Sequence, residues 1–393
     1  MMRNNHSRLE ILLTSLKLGL TSFGGPIAHL GYFKDEYIDK RKWLDDKTYA
    51  DIIALCQFLP GPASSQVGIA IGMLRGGFLG GVISWLGFTI PSVLVLVLFA
   101  FLYQSFTLEE AAWIASLKIV AVAVVAHAVL GLGGKLTPDR PRIAIALAAA
   151  LVMLLFPSAM VQIGIIVVAA LIGYVAFSNQ AESKVNTFSV SITKKQGVMS
   201  LSILVALLIG LPLLSQAVSN TYVSLFDTFF RVGALVFGGG HVVLPLLEQE
   251  VVPNGLLSNG EFLAGYGMAQ AVPGPLFTFA SYLGTMISGI AGAIIATIAI
   301  FLPSFLLIVG ALPFLSELRK QSKFQGILTG VNASVVGILL AALYDPVFTS
   351  SVNNGVDFAL AAILFGLLRF WKTPAWLVVI IGVVLGTLLA YVF

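Results

Sequence analysis

Charged side chains are scarce. Asp, Glu, Lys and Arg make up 10% of the 393 residues, where a soluble domain carries about a quarter. That scarcity excludes an ordinary water-facing surface. Cysteine occurs once, at Cys56, which excludes an internal disulfide and a multi-cysteine metal site; the residue is expected to be a small buried apolar group. No Gly-x-Ser-x-Gly, no His-Glu-x-x-His and no complete Walker loop is present, and "GGKLT" from Gly133 lacks the earlier glycine of a phosphate loop. The chain is therefore expected not to be an enzyme and to use no cofactor or metal. With no nucleotide-binding domain, any transport must run on an ion gradient or on the substrate's own gradient. The formal net charge of +4 is not read as nucleic-acid binding, because in such chains Lys and Arg mostly mark cytoplasmic loops.

What fills the chain is hydrocarbon: 58% of residues are hydrophobic and the mean hydropathy is +0.98. Thirteen apolar elements lie near 9–31, 50–72, 79–104, 112–132, 142–157, 160–177, 198–217, 222–246, 262–286, 289–315, 326–343, 357–368 and 374–393. Several have the length that a transmembrane helix needs. An all-α polytopic membrane protein is expected; a β-barrel would show short alternating segments instead. Residues 1–8 are polar and no small-residue cleavage site closes the first apolar run, so no cleavable signal is expected.

The chain repeats itself. Lys17-x-Gly19-x3-Phe23-Gly24-Gly25 matches Arg231-x-Gly233-x3-Phe237-Gly238-Gly239 at an offset of 214, and Glu36 matches Glu250 at the same offset. "QFLPGP" (Gln57–Pro62) matches "QAVPGP" (Gln270–Pro275) at 213, and "IPS" ending at Ser92 matches "LPS" ending at Ser304 at 212. "LKIVAV" from Leu117 resembles "VNASVV" from Val331. The expected organisation is a first repeat over 1–178, a polar linker and linking helix over 179–217, and a second repeat over 218–393. Seven elements separate the two repeat starts, and an odd number inverts the second repeat, a construction typical of secondary transporters.

Positive charge refines the topology. With the N-terminus inside and all thirteen elements spanning, fourteen Lys and Arg fall inside and five outside, all five in one loop, Lys34 to Lys47. Letting elements 1, 2, 8 and 9 dip in and return as re-entrant hairpins moves that loop inside and makes the tally nineteen to none. Each of these four elements carries a Gly-Gly or Pro-Gly-Pro break near its middle. Irregular backbone at membrane depth is tolerated only when buried in protein or lining a cavity. Each repeat is thus expected to begin with two broken elements followed by about four transmembrane helices; thirteen true spans with kinked helices is the competing topology.

Lys17, Lys118 and Arg231 lie inside apolar elements, each at a cost of about 2.5–3.5 kcal/mol at a span's centre. Snorkelling to headgroups competes for Lys17 and Arg231, Asp227 is a rival partner for Arg231, and Glu109 or Glu110 for Lys118. The breaks leave backbone N–H groups unpaired at half-helix N-termini, which bind anions. Cations next to such breaks suit an oxyanion better than a metal cation or a sugar: Arg offers a planar fork and Lys a point charge. His29, Glu36, His241 and Glu250 are the proton-coupling candidates. His127 is expected to be a hydrogen-bonded core residue. "GGFLGG" and "GVVLG" have the Gly-x3-Gly spacing of close helix packing.

"FGGPIAHLGYF", "WLDDKTYADIIALCQFLPGP", "GGFLGGVISWLGFTIPS", "FGGGHVVLPLLEQEVV" and "AQAVPGP" together resemble the chromate ion transporter family in its long two-domain form. The resemblance covers nearly the whole chain. It implies export of chromate across the bacterial cytoplasmic membrane, driven by the proton motive force or the membrane potential. The family's motifs map onto Phe23, Gly24, Gly25, Pro26, Gln57, Pro60, Gly61, Pro62, Phe237, Gly238, Gly239, Gly240, Gln270, Pro273, Gly274 and Pro275. These, with Lys17, Lys118 and Arg231, form the expected substrate-binding set. The expected protein is multi-pass with a cytoplasmic N-terminus, and its partners are chromate or a related oxyanion such as sulfate and the lipid bilayer, with no nucleic acid; a homodimer is one assembly left open. Transport of another oxyanion, a passive anion channel and a membrane-embedded lipid-phosphate enzyme are the alternatives.

Overall fold

A computed structural model describes residues 5–23, 25–105, 112–177, 192–236, 243–314 and 322–392. Among the described residues every regular element is a helix and no strand occurs. The α-helices are α1 (Asn5–Thr21), α2 (Gly25–Phe33), α3 (Asp46–Phe58), α4 (Ala63–Ser105), α5 (Ala112–Leu136), α6 (Arg140–Leu155), α7 (Ala159–Ala176), α8 (Lys194–Ala217), α9 (Thr221–Leu235), α10 (Val243–Val251), α11 (Asn259–Ala271), α12 (Phe279–Ala311), α13 (Ser322–Ala342), α14 (Gly355–Arg369) and α15 (Ala375–Val392). Six stretches of the described residues are long and apolar enough to cross a membrane. Leu94, Leu98, Leu130, Leu213 and Leu388 lie exposed on such helices, as lipid-facing side chains do. The chain is an all-α membrane protein.

Helices stop where the glycine and proline breaks stand: α1 at Thr21, α3 at Phe58, α9 at Leu235 and α11 at Ala271. Polar starts are capped within their own sequence. Asp45 accepts from the Thr48 amide at 2.7 Å, and Thr193–Gln196 and Ser258–Glu261 form capping boxes.

The chain forms two compact units, and each draws on both halves of the sequence. Unit 1 holds Met1–Val97, Glu182–Gly240 and Pro273–Gln321. In it α4 and α12 each turn back at a left-handed glycine, Gly77 (φ 67°) and Gly289 (φ 62°), 212 residues apart. The two arms of each turn meet at small residues: a Cβ on Gly72 would strike the Gly80 carbonyl, and one on Gly284 the Gly292 carbonyl. Ser84 Oγ donates across the first turn to the Gly68 carbonyl at 2.9 Å. The repeated Lys/Arg-x-Gly motif has a packing role as well. A Cβ on Gly19 would lie 2.7 Å from the Phe88 carbonyl oxygen, and one on Gly233 would strike that of Ile300. Phe88 and Ile300 again stand 212 apart. Only glycine lets α1 rest on α4 and α9 on α12 at this distance.

Unit 2 holds Leu98–Ala181, His241–Val272 and Ser322–Phe393. Here α5 is the central rod, packed by α11, α13, α14 and α15, with Val120, Ala121 and Val125 almost sealed from solvent. Gly382 and Gly386 of "GVVLG" sit against Val120 and Ser116 of α5, which is the close-packing role expected of that spacing. In "GGFLGG", Gly80 takes that role while Gly76 and Gly77 form the turn. Cys56 is fully buried, as expected.

Candidate functional site

In unit 1 the breaks of one half meet the breaks of the other. The Gly61 amide donates to the Val236 carbonyl at 2.6 Å, and the Gly274 amide to the Ser22 carbonyl at 2.9 Å. Ser22 and Val236 stand 214 apart and Gly61 and Gly274 stand 213 apart, so the two bonds are one contact made twice under the sequence repeat. A broken helix strands its last carbonyls and the next helix's first amides. In hydrocarbon each stranded group would cost several kcal/mol. Here each Pro-Gly-Pro turn offers its glycine amide to the carbonyl that precedes the other half's Phe-Gly-Gly. Both glycines have positive φ, 113° at Gly61 and 99° at Gly274, a conformation that costs a side-chain-bearing residue about 1–2 kcal/mol. The flanking prolines have no amide hydrogen and so strand none.

Polar side chains collect at these crossings in an otherwise apolar chain. Ser92 Oγ donates to the Pro273 carbonyl at 2.5 Å, and Gln66 Nε2 donates to the Pro60 carbonyl at 2.6 Å. Ser304, the repeat counterpart of Ser92, lies beside Gly61, where an added Cβ would come within 2.8 Å of its hydroxyl. With the Pro60 carbonyl engaged by Gln66, the Ser304 hydroxyl has no partner. Ser65 Oγ, Gln66 Oε1, Ser22 Oγ and Thr89 Oγ1 are likewise buried without a hydrogen bond. Buried polar atoms are normally satisfied, so this concentration of free hydroxyl and amide atoms marks a place suited to a polar ligand. His29 lies beside it, 1% exposed, with Nδ1 3.1 Å from Ser64 Oγ and its ring edge-on to Phe88. The sequence carried a signal for Ser64, Ser65 and Gln66: three polar residues follow "PGPA" directly. Ser92 and Ser304 stood in plain view as repeat markers.

The cations sit in ion pairs. Lys17 Nζ bonds Glu36 Oε2 at 2.7 Å, with the lysine 52% and the glutamate 5% exposed. Arg41 Nε bonds the other Glu36 oxygen at 2.9 Å. Arg41 and Arg75 also reach Glu10, at 3.2 and 3.3 Å, and Arg75 lies over the Trp43 ring at 4.8 Å. Burial acts to raise the Glu36 carboxyl, but the hydrogen bonds from Lys17 and Arg41 outweigh it and hold the group below the ordinary glutamate value. Arg231 forks onto Asp227, Nε to both carboxylate oxygens at 3.1 Å and Nη2 at 3.0 Å, the i−4 partner legible in the sequence.

Of the other expected site residues, Phe23, Pro60, Gly61, Pro62, Pro273, Gly274 and Pro275 lie at the crossings in unit 1. Gly25 opens α2 and Pro26 follows it; Gln57 lies in the last turn of α3. Lys118, Gln270 and Glu250 belong to unit 2. Lys118 is half-buried on α5, Glu250 half-buried on α10, and Gln270 Nε2 is buried without a partner near the end of α11. His127 is half-buried on α5. Gly24, Phe237, Gly238, Gly239, Gly240 and His241, with Glu109 and Glu110, lie outside the described residues. Among the described residues no group of three His, Cys, Asp or Glu could hold a metal ion.

Comparison with known proteins bears on what such crossings serve. The family model described as chromate transporter matches twice, at residues 9–174 and 223–387. An uncharacterized transporter of Methanocaldococcus jannaschii is 28% identical over 98% of this chain and 96% of its own length. Chromate transport proteins of Pseudomonas aeruginosa and Cupriavidus metallidurans are 28% and 26% identical, over 95% and 97% of this chain and 89% and 93% of their own. No solved structure matches the chain. With its model matched across both halves, the chain belongs to the chromate transporter family.

Proposed function

We propose that the protein is a secondary active transporter that exports chromate across the bacterial cytoplasmic membrane. Its driving force would be the proton motive force or the membrane potential. The observation that carries this reading is the pair of crossings, where Pro-Gly-Pro turns and the ends before Phe-Gly-Gly meet among unpartnered hydroxyls, in a chain whose relatives include chromate transport proteins. A tetrahedral oxyanion needs donors from several directions. The hydroxyls of Ser65 and Ser304 and the amides that open α2 and α4 would supply them. Two inverted repeats, 1–178 and 218–393 around the 179–217 linker, would bring one set from each half. Their first two elements would enter as hairpins from opposite faces, with the N-terminus cytoplasmic.

In this reading Lys17 and Arg231 are the cations of the path, held in place by Glu36 and Asp227. The residues of the two Phe-Gly-Gly and two Pro-Gly-Pro motifs would shape the path. His29, Glu36, His241 and Glu250 would be the coupling groups named by the sequence. Sulfate shares the charge and shape of chromate and is the natural competitor. The test is expression in a chromate-sensitive bacterium with tracer measurement of cell chromate. Lower accumulation and raised tolerance are expected. Accumulation equal to the empty vector, with the protein present in the membrane, overturns the proposal.

A further inference from the structure

Glu248 is one of three glutamates in or near the acidic loop after α9, and nothing in its sequence setting separates it from a loop charge. Its place in unit 2 does. Glu248 sits on α10 and is only 6% exposed. It lines a cavity of about 340 Å³ together with Gln249, Asn259, Asp345 and the prolines Pro157 and Pro245. Its one hydrogen-bond donor among the described residues is the Gln249 amide, Nε2 to Oε2 at 2.9 Å. Among the described residues no Lys, Arg or His pairs with it. The cavity is lined by oxygens with little to satisfy them. Gln249 Oε1 and Asn259 Oδ1 are both buried without a partner. Among the described residues Asp345 is the only other ionisable side chain on the lining, and it accepts from Thr349 Oγ1 at 2.9 Å. α10 packs against α7 and α13, and neither contributes a cation to the lining.

A buried carboxylate is costly unless an opposite charge or several donors meet it. This one meets a single neutral donor, a second carboxylate and two orphan acceptors. Burial, the second carboxylate and the orphan acceptors favour a neutral carboxyl against that single donor, and the neutral group becomes a hydrogen-bond donor for the acceptors around it. We propose that Glu248 is a proton-carrying group of the protein, taking up a proton from water in this cavity and returning it when the cavity's surroundings change. The inference deepens the proposed transport function and rests on it for its purpose, though not for its chemistry. Burial pushes the Glu248 carboxyl up, the Gln249 hydrogen bond offsets part of that and Asp345 adds to it, leaving it at about 7. A group poised there changes charge within the physiological range.

The test uses the full-length protein in proteoliposomes, as wild type, Glu248→Gln, Glu248→Asp and the control Glu261→Gln. The first readout is the infrared carboxyl band followed from pH 5 to pH 9. A band that titrates near neutrality in wild type and Glu261→Gln, shifts in Glu248→Asp and is absent from Glu248→Gln is the expected result. The second is tracer chromate flux with and without a pH gradient. The gradient is expected to stimulate wild-type flux several-fold and Glu248→Gln flux about one-fold, while flux down a chromate gradient persists in both. An unchanged band in Glu248→Gln, or stimulation equal to wild type, overturns the assignment. Absence of wild-type chromate flux under every condition would instead overturn the transport reading, and the titration would still judge Glu248.

Discussion

Replacing Gly274 by alanine probes the crossing at its tightest point. The residue has φ 99°, so any side chain incurs about 1–2 kcal/mol of backbone strain. An added Cβ would also strike Ser92 Oγ, the hydroxyl that donates to the Pro273 carbonyl. Forcing a methyl group into such a space costs a further ~1–3 kcal/mol, and displacing Ser92 forfeits about 1 kcal/mol of hydrogen bonding. The expected loss is on the order of 4 kcal/mol, a large share of a typical protein's whole stability. Gly255 provides the comparison. It too has positive φ, 70°, but nothing lies within 4 Å of its Cβ position, so Gly255→Ala should cost only the strain of roughly 1 kcal/mol. Thermal and denaturant unfolding in detergent would measure both. Adding Ser92→Ala to Gly274→Ala should recover part of the loss by making room. If Gly274→Ala were no less stable than Gly255→Ala, the packing of this crossing would be wrongly described.

Further expectations concern single side chains. Ser304→Ala removes a hydroxyl that makes no hydrogen bond, so stability should hold or rise while chromate flux falls; Ser92→Ala, which breaks a made bond, should destabilise by about 1 kcal/mol. Arg231→Ala should abolish transport yet still reach the membrane. It leaves the 4%-exposed Asp227 without its ion pair, at a cost of about 3–5 kcal/mol, so Asp227→Asn should be added to restore stability, and chromate tolerance equal to wild type in that double variant would remove Arg231 from the site. Glu36 stands below its ordinary value, so it stabilises the fold above about pH 4.3 and loses that contribution as pH falls through the lower folded value. Acid unfolding of Glu36→Gln should accordingly be shallower than that of wild type. Glu248 carries the opposite sign: its contribution is full below about pH 4.3 and is lost as pH rises through about 7, so Glu248→Gln should gain in melting temperature over wild type at pH 8 and not at pH 4.

The membrane-spanning helices and all four breaks were legible, because hydropathy and Gly/Pro chemistry act locally. Arg231 and Asp227 were legible too, one helical turn apart. Lys17 and Glu36 were noted separately, but their pairing spans nineteen residues and two elements, which no local pattern discloses. The exchange of Gly61 and Gly274 amides between halves is also nonlocal; only the matched offsets hinted that corresponding residues would make corresponding contacts. Gly19 and Gly233 were visible in the motif, yet their task is set by the carbonyls of Phe88 and Ile300 some 70 residues on. The polar run Ser64-Ser65-Gln66 was readable and carried little weight beside the louder cations. Glu248 looked like a loop charge because burial, which decides its chemistry, is not written in its neighbours. The two compact units interleave both halves of the chain, a division that sequence duplication does not announce.

The most direct measurement is tracer chromate flux in proteoliposomes of wild type and of the Ser65→Ala/Ser304→Ala variant, with sulfate as competitor and with imposed pH and potential gradients. Transport through the crossings requires saturable wild-type flux that responds to a gradient, competition by sulfate, and a loss of at least tenfold in the variant at unchanged thermal stability. Flux that is unsaturable and indifferent to both gradients, or a variant as active as wild type, would contradict it.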